Sequence, residues 1–315
     1  MEAVCHFHFP SFLNLKPVLA IFIMKFLIAV GSKDYSGPTL ELGMRVAKAF
    51  NAAVDIVYVG DKISAFSTSE VILPQQNHAN WDFDRQGVDV LQCDKQYLDD
   101  NKYIKSESDE FNTDKLVQTD DDRCEVHLEG RMMQEVGLIL RNGDIIQQLR
   151  DEVKRSGIDV TFIGASKKRR MIHDLIQYID SSIFVVKNYD RARNYKLLLA
   201  VNDAPNTKKA LKYGVRVAEA FELDVNAITI SNTEEFRSDY REASNWADKF
   251  LRRTRVDHQV NLVHGKFIKV MNETAKDDHI IVMGNSTKSP LTKFFTGSKP
   301  LNVCEQCDCP ALIVK

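Results

Sequence analysis

Two glycines and a serine near the end of the chain are the residues best suited to bind a ligand. Gly284 follows the apolar run HIIVM, and Gly297 and Ser298 come after a further loop, just before a short amphipathic segment. Glycines let a backbone approach a ligand closely, and the unpaired N–H groups and positive dipole of a helix N-terminus attract phosphate. The motif therefore predicts an anion site, although a turn glycine and a capping serine would also explain it.

A second candidate is the cysteine cluster formed by Cys304, Cys307 and Cys309. Its spacing is compatible with metal binding, but a structural zinc site needs four ligands, and no second cysteine pair or closely spaced histidine completes the set. Redox sensing would require Cys304 and Cys307 to share an exposed helix face. We therefore expect no protein-bound metal here.

No catalytic constellation is recognisable elsewhere. His258, His264 and His279 lie on or beside predicted strands, without a nucleophile motif such as G-x-S-x-G nearby. Structural histidines are the simpler interpretation. The chain also lacks the Ser-Gly-Gly-x-Asp loop and the HIGH-like sequence of adenylyl-transferring enzymes. We therefore expect that the protein is not an enzyme.

The overall composition narrows the class of protein. A length of 315 residues suggests two domains, and 42 basic against 44 acidic residues give no general attraction to nucleic acid. The six cysteines are sparse, which favours a reducing compartment and a cytoplasmic location. The long apolar run 18–30 is interrupted by Lys25 and is shorter than the ~20 residues of a membrane span, so no membrane association is expected.

The first 23 residues form a separate question. They lack the basic region and the small-residue cleavage site of a signal peptide. Met24 directly precedes a convincing strand, so residues 1–23 are interpreted as an extension upstream of a translation start at Met24. A targeting segment is the alternative.

An internal repeat organises the rest of the chain. A strand and the helix after it occur twice with the same separation, and a later strand recurs as well. Two domains are therefore predicted, at 24–188 and 194–315, joined by a short polar linker. The matching segments are 25–30 with 196–201, 43–50 with 214–221, and 159–164 with 278–284.

Each copy alternates apolar strands with amphipathic helices. Continuous Val, Ile and Leu runs between such helices indicate a parallel sheet covered on both faces. The predicted fold class is α/β, with two tandem five-stranded parallel-sheet domains of the Rossmann-like type. In the second copy the predicted strands are 196–201, 225–230, 258–263, 279–283 and 311–314, and the predicted helices lie near 206–221, 233–254, 266–276 and 298–306.

The first copy carries an acidic insertion within residues 61–122, with 15 acidic and 6 basic residues. Its segments SESDEFNTDK and QTDDDR are too polar to bury a core and are expected to be mobile. A solvated loop and a partner-binding element are both compatible with this composition. Trp81 and Phe83 are expected to be anchored.

The duplicated unit and its glycine loop resemble the universal stress protein family. In that family the loop reads Gly, two residues, Gly, nine residues, then Gly-Ser or Gly-Thr, and it holds the phosphates of ATP. Gly284, Gly297 and Ser298 match this spacing, and Thr287 replaces the second glycine. The final strand, which follows Cys309 and a proline, is also similar to the family's last strand.

The resemblance implies an adenine-nucleotide α-hydrolase-like site in the second domain. It would hold ATP or AMP, with magnesium only as a companion of ATP and at most very slow hydrolysis. Asn202 stands where ATP-binding members usually carry an aspartate. By family position the adenosine contacts are Val201, Asn202, Ile230 and Met283, the phosphate contacts are Gly284, Thr287, Gly297 and Ser298, and Lys288, Lys293 and Lys299 add positive charge.

The first domain departs further from the family pattern. Gly31 replaces the aspartate, and Gln177 and Tyr178 are aligned with the Gly-Ser pair. The basic run 167–170 is interpreted as a solvated loop, with an anion site or pairing with the acidic insertion as alternatives. The resemblance thus implies a stress-response regulator that binds nucleotide in domain 2 only. The alternative is an interaction module that keeps the fold with both pockets degenerate.

Family members often dimerise through their last strand. The edges 184–187 and 311–315 are apolar, and an exposed apolar edge strand seeks a partner. We therefore expect either an internal pair of domains or a homodimer through these strands. The protein partner of such a regulator is not identified by the sequence.

Overall fold

The computed structural model of the chain has twelve strands and eight helices within the residues that it describes. None of these helices is both long and apolar enough to cross a lipid bilayer. The described residues are 23–31, 33–60, 85–105, 117–119, 123–131, 135–165, 169–285 and 299–315.

The first half alternates strands and helices, with a two-stranded hairpin placed before its third parallel strand. Its elements are β1 (Lys25–Val30), α1 (Lys33–Phe50), β2 (Ala53–Gly60), α2 (Arg85–Asp100), β3 (Val117–Thr119), β4 (Arg123–Leu128), β5 (Val136–Asn142), α3 (Ile145–Ser156), β6 (Val160–Gly164), α4 (Arg169–Tyr178) and β7 (Ser182–Val186).

The second half repeats this order without the hairpin, and its elements agree with the predicted ones except for shifts of one residue at strand ends and of up to five residues at helix ends. The largest shift is in the helix predicted at 233–254, which is shorter at both ends. The elements are β8 (Lys196–Ala200), α5 (Thr207–Phe221), β9 (Val225–Ser231), α6 (Ser238–Leu251), β10 (His258–His264), α7 (Phe267–Ala275), β11 (His279–Gly284), α8 (Lys299–Gln306) and β12 (Ala311–Val314).

The strands form one twelve-stranded sheet with the order β10-β9-β8-β11-β12-β7-β6-β1-β2-β5-β4-β3. Five strands are parallel to one another in each half, and the inserted hairpin adds two antiparallel strands at one edge. Apolar side chains pack against helices on both faces of the sheet. The predicted tandem α/β fold is therefore confirmed.

The two halves join through their last strands. β7 and β12 pair antiparallel, with Phe184 opposite Leu312. Beside this pair, the Lys187 ammonium donates a 2.9 Å hydrogen bond to the carbonyl of Cys307 and lies 2.9 Å from the carboxylate of Asp308. The predicted contact between the terminal edges is thus present within one chain.

Helices α1 and α5 add a second contact between the halves. The rings of Phe50 and Tyr213 meet edge to face with centroids 5.5 Å apart. The Arg45 guanidinium lies 4.2 Å from the centre of the Phe221 ring, a distance typical of a cation–π contact. Arg216 donates a 2.9 Å hydrogen bond to the carbonyl of residue 49. Each half therefore covers apolar surface of the other.

Part of the acidic insertion is a folded element. Helix α2 buries Val90, Leu91 and Leu98 against the sheet, because its apolar residues fall on one face. The expectation that QTDDDR is mobile and unburied is wrong at Arg123, which belongs to β4 and is 4% exposed. The segment SESDEFNTDK, Trp81 and Phe83 lie outside the described residues.

Candidate ligand-binding crevice in the second half

A crevice opens where the parallel strands of the second half end. Such a position, at the carboxyl ends of β8, β9 and β11, is where open parallel sheets bind ligands. The cavity volume at this position is small, about 10 Å³. Its lining residues are Ala200, Val201, Asn202, Ile228, Ile230, Tyr240, Phe267, Met283, Gly284 and Lys299.

The floor of the crevice is apolar. Ile228 and Met283 are nearly inaccessible to solvent and belong to the core on one face of the sheet, whereas Val201, which is equally buried, belongs to the core on the other face. Ile230 and Ala200 complete this surface. An apolar surface bordered by a few polar groups is typical of small-molecule sites.

Asn202 fixes the loop between β8 and α5. Its side-chain oxygen accepts hydrogen bonds from the backbone N–H of Ala204 at 3.0 Å and from the Thr207 hydroxyl at 2.5 Å. The Asn202 Nδ2 group forms no hydrogen bond with the described residues. Its amide is therefore a hydrogen-bond donor at the rim of the crevice.

Gly284 has a structural reason to be glycine. A Cβ atom there would lie 2.8 Å from the carbonyl carbon of Asn206 and 2.9 Å from the backbone nitrogen of Thr207, both closer than real Cβ contacts. The Asn206 side chain also donates a 3.1 Å hydrogen bond to the carbonyl of Asn285. The end of β11 is thus packed directly against the start of α5.

The loop after β9 forms another side of the crevice. Arg237 pairs with both carboxylate oxygens of Asp239, and this hydrogen bonding holds the pKa of Asp239 below its usual value. The same guanidinium lies 3.5 Å from Asp203 and 5.2 Å from the centre of the Tyr240 ring. These contacts place Tyr240 beside the apolar floor.

A positive charge stands at the mouth of the crevice. Lys299 begins α8, and its ammonium lies 4.8 Å from the centre of the Phe267 ring, which begins α7. Such a cation–π contact holds the ammonium near the ring while the charge stays at the surface. The crevice therefore combines an apolar floor, an amide donor and a cation.

Comparisons with known proteins identify the fold. No protein-family model matches the sequence, and no curated protein sequence matches it significantly. Solved structures do match, over nearly the whole chain. A protein from Pseudomonas aeruginosa UCBPP-PA14 described as a candidate universal stress protein has a TM-score of 0.61 at 12% identity, over 93% of this chain and 94% of its own.

Two further structures agree with that match. The functionally unknown protein PA1789 from Pseudomonas aeruginosa PAO1 has a TM-score of 0.60 at 12% identity, with 93% of each chain covered. A universal stress protein from Archaeoglobus fulgidus DSM 4304 has a TM-score of 0.56 at 14% identity, over 92% of this chain and 96% of its own. The chain has the tandem fold of the universal stress proteins.

Six of the eleven residues named from the family resemblance line the crevice. Thr287, Gly297 and Ser298 lie outside the described residues, as do Lys288 and Lys293. The six that line the crevice are Val201, Asn202, Ile230, Met283, Gly284 and Lys299.

Sequence analysis missed four lining residues. Ala200 and Ile228 lie two residues before the predicted site residues Asn202 and Ile230. Side chains two residues apart in a strand lie on the same face, so this alternation could have indicated them. Tyr240 lies in the first turn of α6, which follows β9, and Phe267 begins α7, which follows β10. Their position at helix starts on the ligand side of a universal stress fold was the available signal.

The corresponding positions in the first half differ. Gly31 stands in place of Asn202 and has no side chain to hold the following helix. A Cβ atom at Gly164 would meet only the Thr39 hydroxyl, at 3.0 Å, so the strand end is not packed against helix backbone as in the second half. The alignment of Gln177 and Tyr178 with the Gly-Ser pair is wrong, because these residues end α4 whereas the pair precedes α8.

The cysteine cluster does not provide exposed thiols. Cys304, Cys307 and Cys309 are each at most 3% exposed, and burial raises the pKa of Cys304 to about 12 and that of Cys307 to about 11. The condition for redox sensing, an exposed helix face, is therefore not met. Within the described ranges, no group of three or more His, Cys, Asp or Glu side chains is arranged to hold a metal ion.

Proposed function

We propose that the protein is a regulator of the universal stress family, acting in the stress response, and that its second half binds ATP or AMP. The observation that carries this proposal is the crevice at the carboxyl ends of β8, β9 and β11. Its apolar floor matches a purine base, and its rim supplies an amide donor and an ammonium group for the polar part of a nucleotide.

Each part of a nucleotide has a partner of suitable chemistry. The base would lie on the floor formed by Ile228, Ile230 and Met283. The Asn202 Nδ2 group would donate a hydrogen bond to an acceptor on the base or ribose, where an aspartate could only accept one. Lys299 would attract the phosphates, and magnesium would accompany ATP without a ligand set of its own from the protein.

The proposal assigns binding to the second half only. Gly31 offers no donor at the position of Asn202, so the first half would serve as a packing partner and as a surface for a protein partner. We propose no catalytic role beyond very slow ATP hydrolysis, because the described lining residues include no carboxylate or histidine that could activate a water molecule. A cytoplasmic location belongs to the same proposal, as does the absence of nucleic-acid and membrane partners.

A second candidate function is supported by the way the crevice residues bond to one another. The Asn202 oxygen is used to hold the start of α5, and close packing against Asn206 explains Gly284 without any phosphate. A nucleotide-free interaction module would need the same residues for folding alone. Binding measurements separate the two candidates.

The test is a calorimetric titration of the nucleotide-stripped protein with ATP and, separately, with adenosine. Lys299→Glu should weaken ATP binding roughly threefold to tenfold, since it reverses one exposed charge near the phosphates. It should leave the affinity for adenosine unchanged. Lys212→Glu, an exposed substitution on α5 outside the crevice, is the matched control and should change neither affinity.

The two candidate functions predict different outcomes. Binding of ATP that responds to Lys299→Glu and not to Lys212→Glu supports the nucleotide site. The absence of binding by ATP, AMP and adenosine at millimolar concentration would contradict it and leave the interaction module. Equal effects of both lysine substitutions would show that ATP binds elsewhere.

A further inference from the structure

A polar cavity lies in the first half, at the opposite end of the strands from the position of the crevice. Its volume is about 240 Å³, far above the ~10–15 Å³ that one water molecule needs. Lys25 and Asp55 line it where β1 and β2 begin, Glu135 lines it just before β5, and Arg155 lines it from the last turn of α3. The cavity is therefore a separate feature from the nucleotide crevice.

Asp55 is the carboxylate of this cavity that lacks a partner. It forms no hydrogen bond or ion pair with another described residue. It lies over Gly137 of the neighbouring strand, where an added Cβ atom would be 2.6 Å from its Oδ1 atom. The glycine thus leaves the space that the carboxylate occupies, and the carboxylate can accept hydrogen bonds from a ligand.

The other charged groups of the lining are largely paired with each other. Arg123 pairs with Glu125 and donates a 2.9 Å hydrogen bond to Glu152 behind the cavity. His127 lies 2.9 Å from Glu135 and 3.1 Å from Glu125. Asp55 is therefore the lining carboxylate that has no ion-pair partner among the described residues.

A positive group completes the cavity on its exposed side. The Lys25 side chain is exposed and forms no ion pair with a described residue, and Arg155 is also exposed. The cavity therefore presents an anionic acceptor, Asp55, and a cationic donor, Lys25, to the same small volume. Two opposite charges at separate points select a ligand that carries both charges itself.

The second half does not repeat this arrangement. Asn226 takes the place of Asp55 in the strand register, and Gln259 takes the place of Gly137. The Asn226 side chain accepts a 3.3 Å hydrogen bond from Asn261, so its polar group is used within the sheet. Three lining residues of the cavity, Arg123, Glu125 and His127, belong to β4, which has no counterpart among the described strands of the second half.

We propose that this cavity binds a small zwitterion of the α-amino acid type. The Asp55 carboxylate accepts hydrogen bonds from the ligand's ammonium group, and Lys25, with Arg155 beside it, binds the ligand's carboxylate. This site is independent of the nucleotide crevice. It would make the first half the sensing domain for a second small molecule.

The pH dependence of binding follows from the groups around Asp55. Burial, the largest influence, and the nearby Glu152 raise the pKa of Asp55, while Arg123, His127 and Lys25 lower it, and the net direction is upward. Only the ionised carboxylate binds an ammonium group well. Affinity should therefore rise as the pH increases through the pKa of Asp55 and then level off.

The test is a calorimetric titration of the full chain with glycine, alanine, serine, lysine and glutamate, each alone, at neutral pH. Ethylamine and acetate serve as probes that carry only one of the two charges. At least one amino acid should bind with one site per chain, and both single-charge probes should bind about tenfold more weakly or worse, because each loses one charge-assisted contact.

Two variants assign the binding to the cavity. Asp55→Asn should weaken amino acid binding about tenfold or more and remove its pH dependence, whereas Asp89→Asn, an exposed substitution on α2, should not. Lys25→Met, at an exposed side chain, should weaken the amino acid but not ethylamine, and it remains informative if Asp55→Asn does not fold. Failure of every amino acid to bind at millimolar concentration, or unchanged affinity in both cavity variants, would overturn the proposal.

Discussion

The two halves of the chain share five parallel strands and differ in where they depart from that common sheet. The second half has an apolar crevice at the carboxyl ends of its strands, with Asn202 and Lys299 on the rim. The first half has Gly31 at the corresponding loop and instead carries a hairpin and a polar cavity at the other end of the sheet. The same sheet thus bears different polar sites at its two ends.

The outer edges of the sheet show the same contrast. In the first half, β5 pairs on both sides, with β2 and with β4. In the second half, β10 pairs with β9 and with no other described strand, and Leu262 on it is 41% exposed. The added hairpin therefore protects one edge and creates buried polar contacts that the other edge lacks.

The largest expected effect concerns the buried charges that attach this hairpin. Glu152 of α3 is fully buried and lies 2.9 Å from Arg123 and 3.3 Å from Arg141. Glu152→Ala leaves two buried guanidinium groups without this carboxylate and should lower the free energy of unfolding by ~3–5 kcal/mol. Urea denaturation measures this loss.

The matched control is Glu273→Ala in α7 of the second half. Glu273 is exposed and pairs with Lys269 one helical turn away, at 3.8 Å, so its removal should cost at most ~0.5 kcal/mol. Similar losses for Glu152→Ala and Glu273→Ala would show that the buried ion cluster does not anchor the hairpin.

A second prediction uses a buried carboxyl group of the first half. Asp94 of α2 lies between the buried residues Leu91 and Leu98, and burial raises its pKa to about 7. The folded state therefore binds the proton of Asp94 more tightly than the unfolded state does. The resulting stability is fully present below the pKa of the unfolded state, ~4. The free energy of unfolding then falls by about 1.4 kcal/mol per pH unit as the pH rises from ~4 to ~7.

Asp94→Asn removes this titration. The stability of the variant should therefore depend less on pH between ~4 and ~7 than that of the natural chain, with the difference largest at and above pH ~7. Thermal unfolding across this pH window measures it. An unchanged slope of stability against pH would contradict the assignment to Asp94.

A third prediction compares the glycines at the ends of the two central strands. Gly284→Ala should destabilise the protein by ~1–3 kcal/mol, because its methyl group would press on the backbone of Asn206 and Thr207. In Gly164→Ala the new methyl group would lie 3.0 Å from the Thr39 hydroxyl, the one described group within 4 Å, and this side chain can rotate away. Gly164→Ala should therefore destabilise the protein less than Gly284→Ala. Equal changes in melting temperature would indicate that the two strand ends are packed alike.

The smallest expected effect is at the start of the following helices. Asn202→Ala removes the side-chain oxygen that holds Ala204 and Thr207 and should cost ~0.5–2 kcal/mol, the usual value of a helix-start hydrogen bond. Gly31→Ala, for which a Cβ atom would meet nothing within 4 Å, should change stability by less than ~0.5 kcal/mol. A larger loss for Gly31→Ala than for Asn202→Ala would reverse this part of the comparison.

Sequence patterns were sufficient to predict the strands and helices in which the local periodicity of apolar residues matches their burial in the folded chain. The apolar runs that become β8 and β11 are buried on both faces, and the stripe of Ala210, Leu211 and Val217 faces the sheet in α5, so their periodicity predicts the elements directly. The repeat then predicts the same order in the first half. The fold follows from these two signals.

The hairpin and the polar cavity could not be predicted in this way. Arg123 and the acidic residues before it form a polar run, which favours exposure, yet Arg123 is buried by a partner 29 positions away, Glu152. Gly284 was assigned to ligand approach, but its close neighbours are Asn206 and Thr207, far away in sequence. Such contacts between distant residues leave no periodic signal.

We propose above that the second half, and not the first, retains a nucleotide site. The most direct measurement is to purify the chain without added nucleotide, denature it, and identify and count any released small molecule by mass spectrometry, with an ATP titration of the stripped protein to measure stoichiometry. We predict an adenine nucleotide at no more than one per chain and one binding site for ATP. Two sites per chain, or no released nucleotide together with no ATP binding, would contradict the account.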